Sequence, residues 1–256
     1  MLNIYSLSYP GKVGVVLMNK VNSYSLTRRN LRDVIIVLSL ASAALFPVSN
    51  AKIYLAFGLL LLGCFLHFVS KGILIRNVVL CNKGIYQVVR HPYYLASYLI
   101  DSSFCLLSGN LFLVVFYPFL FFWAYGPTIR REERVLFARH NESFIKDSLE
   151  IPQVFPDMVS VRNSRALFTG FSPKSITLKE CSRLTKFCAI GSSITLIHEL
   201  RMDGFIRGLK DMLSPTRLDY HEFLLMFFTL IFYIASIVTL WFSKQNKRDP
   251  QESFRG

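Results

Sequence analysis

Acidic residues are scarce in this chain, and so are the cysteine patterns that build metal sites. Its 256 residues include 16 Asp and Glu against 29 Lys and Arg, which gives a formal net charge of +13. The five cysteines form no CxxC pair and no Cys/His cluster at metal-ligand spacing. This argues against a metal site and predicts reduced, mostly buried thiols. The first thirty residues lack an apolar segment with a small-residue cleavage site, so no signal peptide is expected.

Long apolar runs are abundant instead. Hydrophobic residues make up 52% of the chain, and 23 residues are Phe, which is unusually apolar for a soluble domain. Five runs approach the roughly 17–25 residues that cross a bilayer as a helix. They are 34–49, 53–69, 93–109, 111–127 and 223–242. The sequence therefore predicts an all-α integral membrane protein with about five transmembrane helices.

Short polar links and basic flanks predict the topology. The first run joins the second, and the third joins the fourth, through a few polar residues, so each pair is expected to form an antiparallel helical hairpin. Basic residues precede the first run, lie between the hairpins and follow the fourth run. Because Lys and Arg are enriched in cytoplasmic loops, these three segments are expected in the cytoplasm. Membrane flanks also explain the positive charge, so no nucleic-acid partner is predicted.

Four segments follow from this pattern. Residues 1–33 are predicted to be a cytoplasmic N-terminal segment, and 34–156 a membrane core of two hairpins and a cytoplasmic helix. Residues 157–222 are predicted to be a cytoplasmic or interfacial extension. Within it, the near-helical spacing of apolar residues fits a helix in the interface or a packed cytoplasmic helix. Residues 223–256 contain the last transmembrane helix and a basic tail, whose side of the membrane depends on whether 187–200 also crosses.

Two polar clusters flank the second hairpin. In Arg90-His91-Pro92, the proline favours the first turn of a helix, whose free N–H groups suit a carboxylate or a phosphate. A basic membrane flank with a proline start explains the same tripeptide. Glu132-Glu133 is either a solvated helix face with local ion pairs or a ligand contact. Because adjacent helical residues point about 100° apart, only one of the two is expected to face a given ligand.

Two ionisable residues lie within the apolar runs. Asp101 is two turns into its run, and we expect it to face other helices, because a charge in lipid is costly. A hydrogen bond to Ser97, to Ser102 or to a neighbouring helix would satisfy it. His67 lies near a helix end and is expected to reach towards water.

Taken in order, these motifs resemble the isoprenylcysteine carboxyl methyltransferase and phospholipid methyltransferase superfamily. The resemblance covers about residues 53–156. It rests on a lead-in at 80–86, an Arg-His-Pro-Tyr-Tyr core at 90–94, a membrane hairpin, the Glu132-Glu133 pair and a proline-bounded end at 151–156. It implies methyl transfer from S-adenosylmethionine to a membrane-embedded lipid or prenylated acceptor, in a pocket that faces the cytoplasm.

The resemblance also implies roles for individual residues. Catalysis would involve Arg131 and Glu133. The cofactor would be bound by Leu80, Cys81, Tyr86, Arg90, His91, Pro92, Tyr94 and Glu132. An arginine that the isoprenylcysteine enzymes place before the acidic pair is Thr128 here. The acceptor, a prenylcysteine carboxylate, a phospholipid amine or another group, therefore stays open.

Two other functions fit parts of the same pattern. One is an NADPH-dependent membrane enzyme of the sterol-reductase kind, whose His-Pro-Asn-Tyr motif has Tyr93 in place of Asn here. The paired glutamates also favour the methyltransferase. The other is a non-enzymatic membrane scaffold whose basic flanks bind anionic lipid, which would leave the ordered motifs unexplained.

Overall fold

The computed structural model describes residues 28–73, 83–163, 167–202, 204 and 220–245. These residues form seven α-helices and two 3₁₀ turns, and no strand occurs among them. The 3₁₀ turns are Gly84–Gln87 and Pro173–Ser175. The helices are α1 (Arg28–Leu45), α2 (Asn50–Ile73), α3 (Pro92–Leu107), α4 (Leu111–Glu150), α5 (Met158–Asn163), α6 (Leu178–Met202) and α7 (Tyr220–Gln245). The all-α prediction is confirmed.

Within the described ranges, three helices are long and apolar enough to cross a membrane. They are α2, the Leu111–Asn141 part of α4 and the Glu222–Gln245 part of α7. The predicted membrane character is thus supported by these three segments. α1 and α3 have 18 and 16 residues, so the count of five spans stays a prediction.

The first predicted hairpin is only partly correct. α1 begins six residues before the apolar run at 34–49 and ends at Leu45, four residues before that run does. It packs on α3, α4 and α6, and its contacts with α2 are few. The physical reason is Arg32 of α1, whose Nε lies 2.6 Å from Oδ1 of Asp101 on α3. A buried carboxylate needs a cation partner, so this ion pair holds α1 against α3.

Small residues let α2 and α3 approach closely. A Cβ atom on Gly63 of α2 would lie 2.7 Å from the Ile100 side chain and 3.0 Å from the carbonyl oxygen of Ala96. Both residues belong to α3, so any larger side chain at position 63 would separate the two helices. This pairing supports the N-terminal end of α3, where the Arg-His-Pro motif lies.

The turns after α1 and after α3 meet at the opposite end. Gly109 has φ +69°, and a Cβ there would lie 2.7 Å from the Pro47 carbonyl oxygen. Asn110 caps α4, since its side-chain oxygen accepts a hydrogen bond from the Phe112 N–H at 3.0 Å. Its amide nitrogen also donates to Ser42 at 3.3 Å. These contacts bring the two predicted hairpin turns to one end of the bundle.

The extension is packed into the bundle through α6. This helix contacts α1, α2 and α3 and pairs extensively with α7, and Ala189, Ile190 and Ile194 are buried. Ser182 and Ser236 exchange hydrogen bonds across the α6–α7 contact, the shortest at 2.7 Å. Up to Met202 this segment is a helix packed against the bundle, and its place relative to the membrane stays a prediction. The continuation through residue 213 lies outside the described residues.

The two ionisable residues in apolar runs are both buried. Asp101 is fully buried and bonds to Arg32 and to Tyr117, whose hydroxyl donates at 3.1 Å. The prediction that it faces other helices is confirmed. The prediction for His67 is wrong. His67 is 0% exposed, and its Nε2 lies 3.0 Å from Glu180 Oε2 on α6. Because this carboxylate provides a hydrogen-bond partner inside the bundle, the imidazole does not have to reach water.

Candidate functional site

The Arg-His-Pro motif is held in place by the segment that follows α4. The peptide nitrogens of Arg90 and His91 donate to the carbonyl oxygens of Pro152 and Gln153, both at 2.9 Å. Pro92 then starts α3, with His91 as the residue before it. The backbone N–H groups just before α3 are therefore satisfied by carbonyl groups about sixty residues later in the chain.

Glu133 is the centre of the cluster. Its Oε1 accepts from Arg90 at 2.8 Å and lies 3.2 Å from His91 Nε2. Its Oε2 accepts from the Gln153 side chain at 2.7 Å. Arg90 also donates from Nε to the Ile151 carbonyl at 3.1 Å. One carboxylate on α4 thus joins the start of α3 to the segment at 151–153.

Glu132 faces a different set of partners. The Tyr94 hydroxyl donates to Glu132 Oε1 at 2.7 Å and accepts from Arg28 of α1 at 3.1 Å. The rings of Tyr94 and His91 are 5.6 Å apart, so the Glu132 and Glu133 contacts are neighbours. The prediction that adjacent glutamates point in different directions fits this geometry, with each carboxylate contacting a different side chain of the motif.

An open cleft of about 650 Å³ lies beside this cluster on α4. Its lining combines three charged side chains with two apolar ones: Arg130, Glu133, Arg134, Pro127 and Phe137. Such a lining can contact a ligand that carries both a carboxylate and an ammonium group next to apolar atoms. No group of three metal-ligating side chains occurs in the part of the chain that the structure describes.

The structure brings together five of the predicted site residues. They are Arg90, His91, Tyr94, Glu132 and Glu133, and buried Pro92 is adjacent. Tyr86 is also buried, and its hydroxyl donates to the Ser70 carbonyl at 3.3 Å. Arg131 is exposed, and its neighbour Arg130 lines the cleft. Leu80 and Cys81 lie outside the described residues.

Two participants were missed by sequence reasoning. Gln153 belongs to the proline-bounded segment that was recognised, but nothing in its sequence context indicated that its side chain binds Glu133. Arg28 was one of several basic residues before the first apolar run, where a cation is expected for membrane orientation alone. Only the fold distinguishes these two residues from their neighbours.

Comparison with protein-family models, with characterised proteins and with solved structures found no match for the chain.

Proposed function

We propose that this protein is an integral-membrane methyltransferase that uses S-adenosylmethionine and acts on a lipid or prenylated acceptor. The observation that carries the proposal is the Glu133 cluster beside the cleft. Arg90 and His91 reach a carboxylate about forty residues later in the sequence, at 2.8 and 3.2 Å. These are the residues that the ordered motifs predicted to share one site.

The lining of the cleft suits the amino-acid end of the cofactor in charge. S-adenosylmethionine has a carboxylate, an ammonium group and a sulfonium centre close together, beside apolar methylene groups. Arg130 and Arg134 are suited to the carboxylate, because guanidinium groups pair well with carboxylates. Glu133 is suited to the positive groups, and Pro127 and Phe137 to the apolar ones. All five residues line one cleft.

When bound, the cofactor supplies an electrophilic methyl group for in-line transfer to a nucleophile. The protein contributes mainly by positioning the two reactants. In this proposal, the contacts of Arg90, His91 and Gln153 fix Glu133, and the Tyr94 hydroxyl fixes Glu132. A carboxylate acceptor is already ionised at neutral pH, whereas a lipid amine must first lose a proton.

The proposal includes a topology. α1 and α3 cross together with α2, α4 and α7, α6 runs antiparallel to α2 from the motif end, and the motif end of the bundle faces the cytoplasm. The support is the number of basic residues at that end, among them Arg28, Arg90 and Arg130, as the positive-inside rule predicts. The acceptor then approaches from the bilayer, and the cofactor from the cytoplasm.

Ligand binding by the full chain tests this function. The protein is purified in detergent and titrated with S-adenosylhomocysteine and, separately, with NADPH by calorimetry. Binding of S-adenosylhomocysteine alone is expected. Binding of NADPH alone would replace the methyltransferase with a reductase-like enzyme, and binding of neither would favour a scaffold.

A further inference from the structure

A second polar cluster joins the extension to the motif core. Glu180 of α6 is buried, and its Oε2 lies 2.7 Å from Arg183 NH1 and 3.0 Å from His67 Nε2. Its Oε1 lies 3.8 Å from Lys71 Nζ on α2. The same terminal nitrogen of Arg183 also donates to the Tyr93 hydroxyl at 3.3 Å. Three helices therefore meet around one carboxylate.

Close packing of α6 on α2 sets the position of Arg183. A Cβ on Gly191 would lie 2.8 Å from the Leu60 side chain, so the two helices touch at this level. About three helical turns towards the motif end, Lys71 reaches Glu180. The two contacts define an antiparallel pairing in which Arg183 faces α3. The close packing of α6 on α2 and the ion pair with buried Glu180 therefore fix the position of Arg183.

Tyr93 connects this cluster to the candidate site. Its ring packs against His67 with centroids 4.8 Å apart, and Lys71 Nζ lies 4.3 Å from the ring centroid. On its other side, the ring makes an edge contact with Tyr94 at 6.0 Å. Tyr94 in turn holds Glu132. Rotation of Tyr93 would therefore disturb the ring that positions a predicted cofactor contact.

We propose that Arg183 of the extension is a positioning residue for the candidate site, held by Glu180 and acting through the Tyr93 hydroxyl. This inference rests on the proposed function, because it concerns the same cofactor site. It gives the extension a role that no motif in its sequence indicates. Arg183 keeps Tyr93 against Tyr94, and thereby keeps Tyr94 in reach of Glu132.

A double-mutant cycle tests this role in the full-length protein. Arg183→Met removes the donor to Tyr93 together with the ion pair to Glu180. Tyr93→Phe removes only the acceptor hydroxyl. The affinity for S-adenosylhomocysteine is measured for both and for the double variant. Each single change is expected to weaken binding about fivefold, as for loss of one hydrogen bond. The double variant should be no weaker than the weaker single variant, because both remove the same contact.

Two further variants separate positioning from a general effect of charge. Lys186→Gln removes a positive charge from an exposed residue on the same helix and should leave the affinity unchanged. Arg183→Lys should recover most of the binding, because a single nitrogen makes both contacts of Arg183.

The outcomes distinguish the two proposals. If the wild-type protein binds S-adenosylhomocysteine but the losses in the two single variants multiply, Arg183 does not act through Tyr93, and the proposed function stands. An equal loss in Lys186→Gln would also overturn the positioning role. If the wild-type protein does not bind this ligand, both proposals fail together.

Discussion

At the scale of single residues, the two motif glutamates differ in how much of their hydrogen-bonding capacity the protein itself uses. Glu133 is contacted by three side chains from two segments, at 2.7 to 3.2 Å, so much of its hydrogen-bonding capacity is used within the protein. Glu132 has one described donor, Tyr94, and its residue is exposed. Removal of Glu132 should therefore reduce ligand affinity more than it reduces stability. The carboxylate has lone pairs that no described protein donor uses, and these can accept hydrogen bonds from a bound molecule.

His91→Ala and Glu132→Ala are the variants that test the site directly. His91→Ala removes the contact between His91 and Glu133, and Glu132→Ala removes the contact between Tyr94 and Glu132. We expect each to weaken binding of S-adenosylhomocysteine by about tenfold while the purified protein remains folded, since a hydrogen bond to a charged group contributes more than a neutral one. Titration calorimetry measures the affinity, and the elution profile in detergent reports folding.

Glu199→Ala is the control, since it removes a carboxylate near the end of α6, where the adjacent His198 contacts the Leu107 carbonyl at the end of the bundle away from the motif. Unchanged affinity in both site variants would remove His91 and Glu132 from the cofactor site.

Gly84 gives a prediction about stability near the motif. It has φ +57°, and a Cβ there would lie 2.7 Å from the Leu167 carbonyl oxygen and 2.9 Å from that of Thr169. Gly84→Ala should therefore destabilise the protein by about 1–3 kcal/mol, because both the conformation and the space exclude a side chain. The apparent melting temperature in detergent should fall clearly.

Gly58→Ala provides the opposite case on α2. A Cβ at this position would have no atom within 4 Å, and alanine is the better helix former. Its melting temperature should equal or exceed that of the wild type. A Gly84→Ala protein as stable as the Gly58→Ala protein would contradict the close contact at residues 167–169.

At the scale of helices, the contact between α2 and α6 depends on one ionised carboxylate. Burial alone would raise the pKa of Glu180, but the hydrogen bond with His67 and the charges of Arg183 and Lys71 outweigh it. Together they lower the pKa from 4.5 to about 2. Because the folded pKa lies below the unfolded value, the stabilisation is complete above pH 4.5 and is lost as the pH falls towards 2.

Glu180→Gln should remove this pH dependence. The melting temperature of the wild type should exceed that of the variant at neutral pH, and the difference should shrink as the pH is lowered from 4.5 towards 2. Thermal unfolding in detergent over this range measures both proteins. A difference that stays constant with pH would show that Glu180 contributes through shape and not through charge.

The helices differ in how well the sequence predicted them. α2, α4 and α7 were predicted from apolar runs, because a run long enough to cross a bilayer is rarely anything other than a helix. The partners of α1 do not follow, since an arginine before an apolar run fits a membrane flank equally well. Only the fold shows that Arg32 pairs with Asp101.

Part of the candidate site was also predictable from the sequence. Arg90, His91 and the Glu132-Glu133 pair are recognised by residue type and order along the chain. The error at His67 has a simple cause, since its partner Glu180 is 113 residues away. Contacts over such separations leave no local pattern, and Arg28 and Arg183 were missed because their partners Tyr94 and Tyr93 are 66 and 90 residues away. Gln153 is 20 residues from Glu133, which is also too far for a helical spacing to indicate the contact.

At the scale of the whole molecule, the two ends of the bundle are chemically different. The motif cluster and the cleft lie at one end, and the Gly109–Pro47 contact lies at the other. α2 and α4 are both long and apolar enough to span the distance between them. The two ends should therefore face opposite sides of a membrane.

Labelling of single introduced cysteines tests this arrangement. In a background without native cysteines, Lys174→Cys at the motif end and Asn110→Cys at the other end should react with an impermeant maleimide from opposite sides of sealed vesicles. Lys174 precedes α6, and Ser172 next to it donates from its N–H to the Gly72 carbonyl at the end of α2. Labelling of both positions from one side would contradict the crossing of α2 and α4.

The backbone contacts of Arg90 and His91 also bear on how the protein is made. Their partners, Pro152 and Gln153, leave the ribosome some sixty residues after the motif, when the second hairpin has already been synthesised. Arg183, which contacts Tyr93, emerges later still. The nascent chain therefore enters the membrane with an incomplete site. A protein stopped before residue 151 would contain α1 to α4 and Glu133 but would lack the carbonyl groups that accept from the Arg90 and His91 peptide nitrogens.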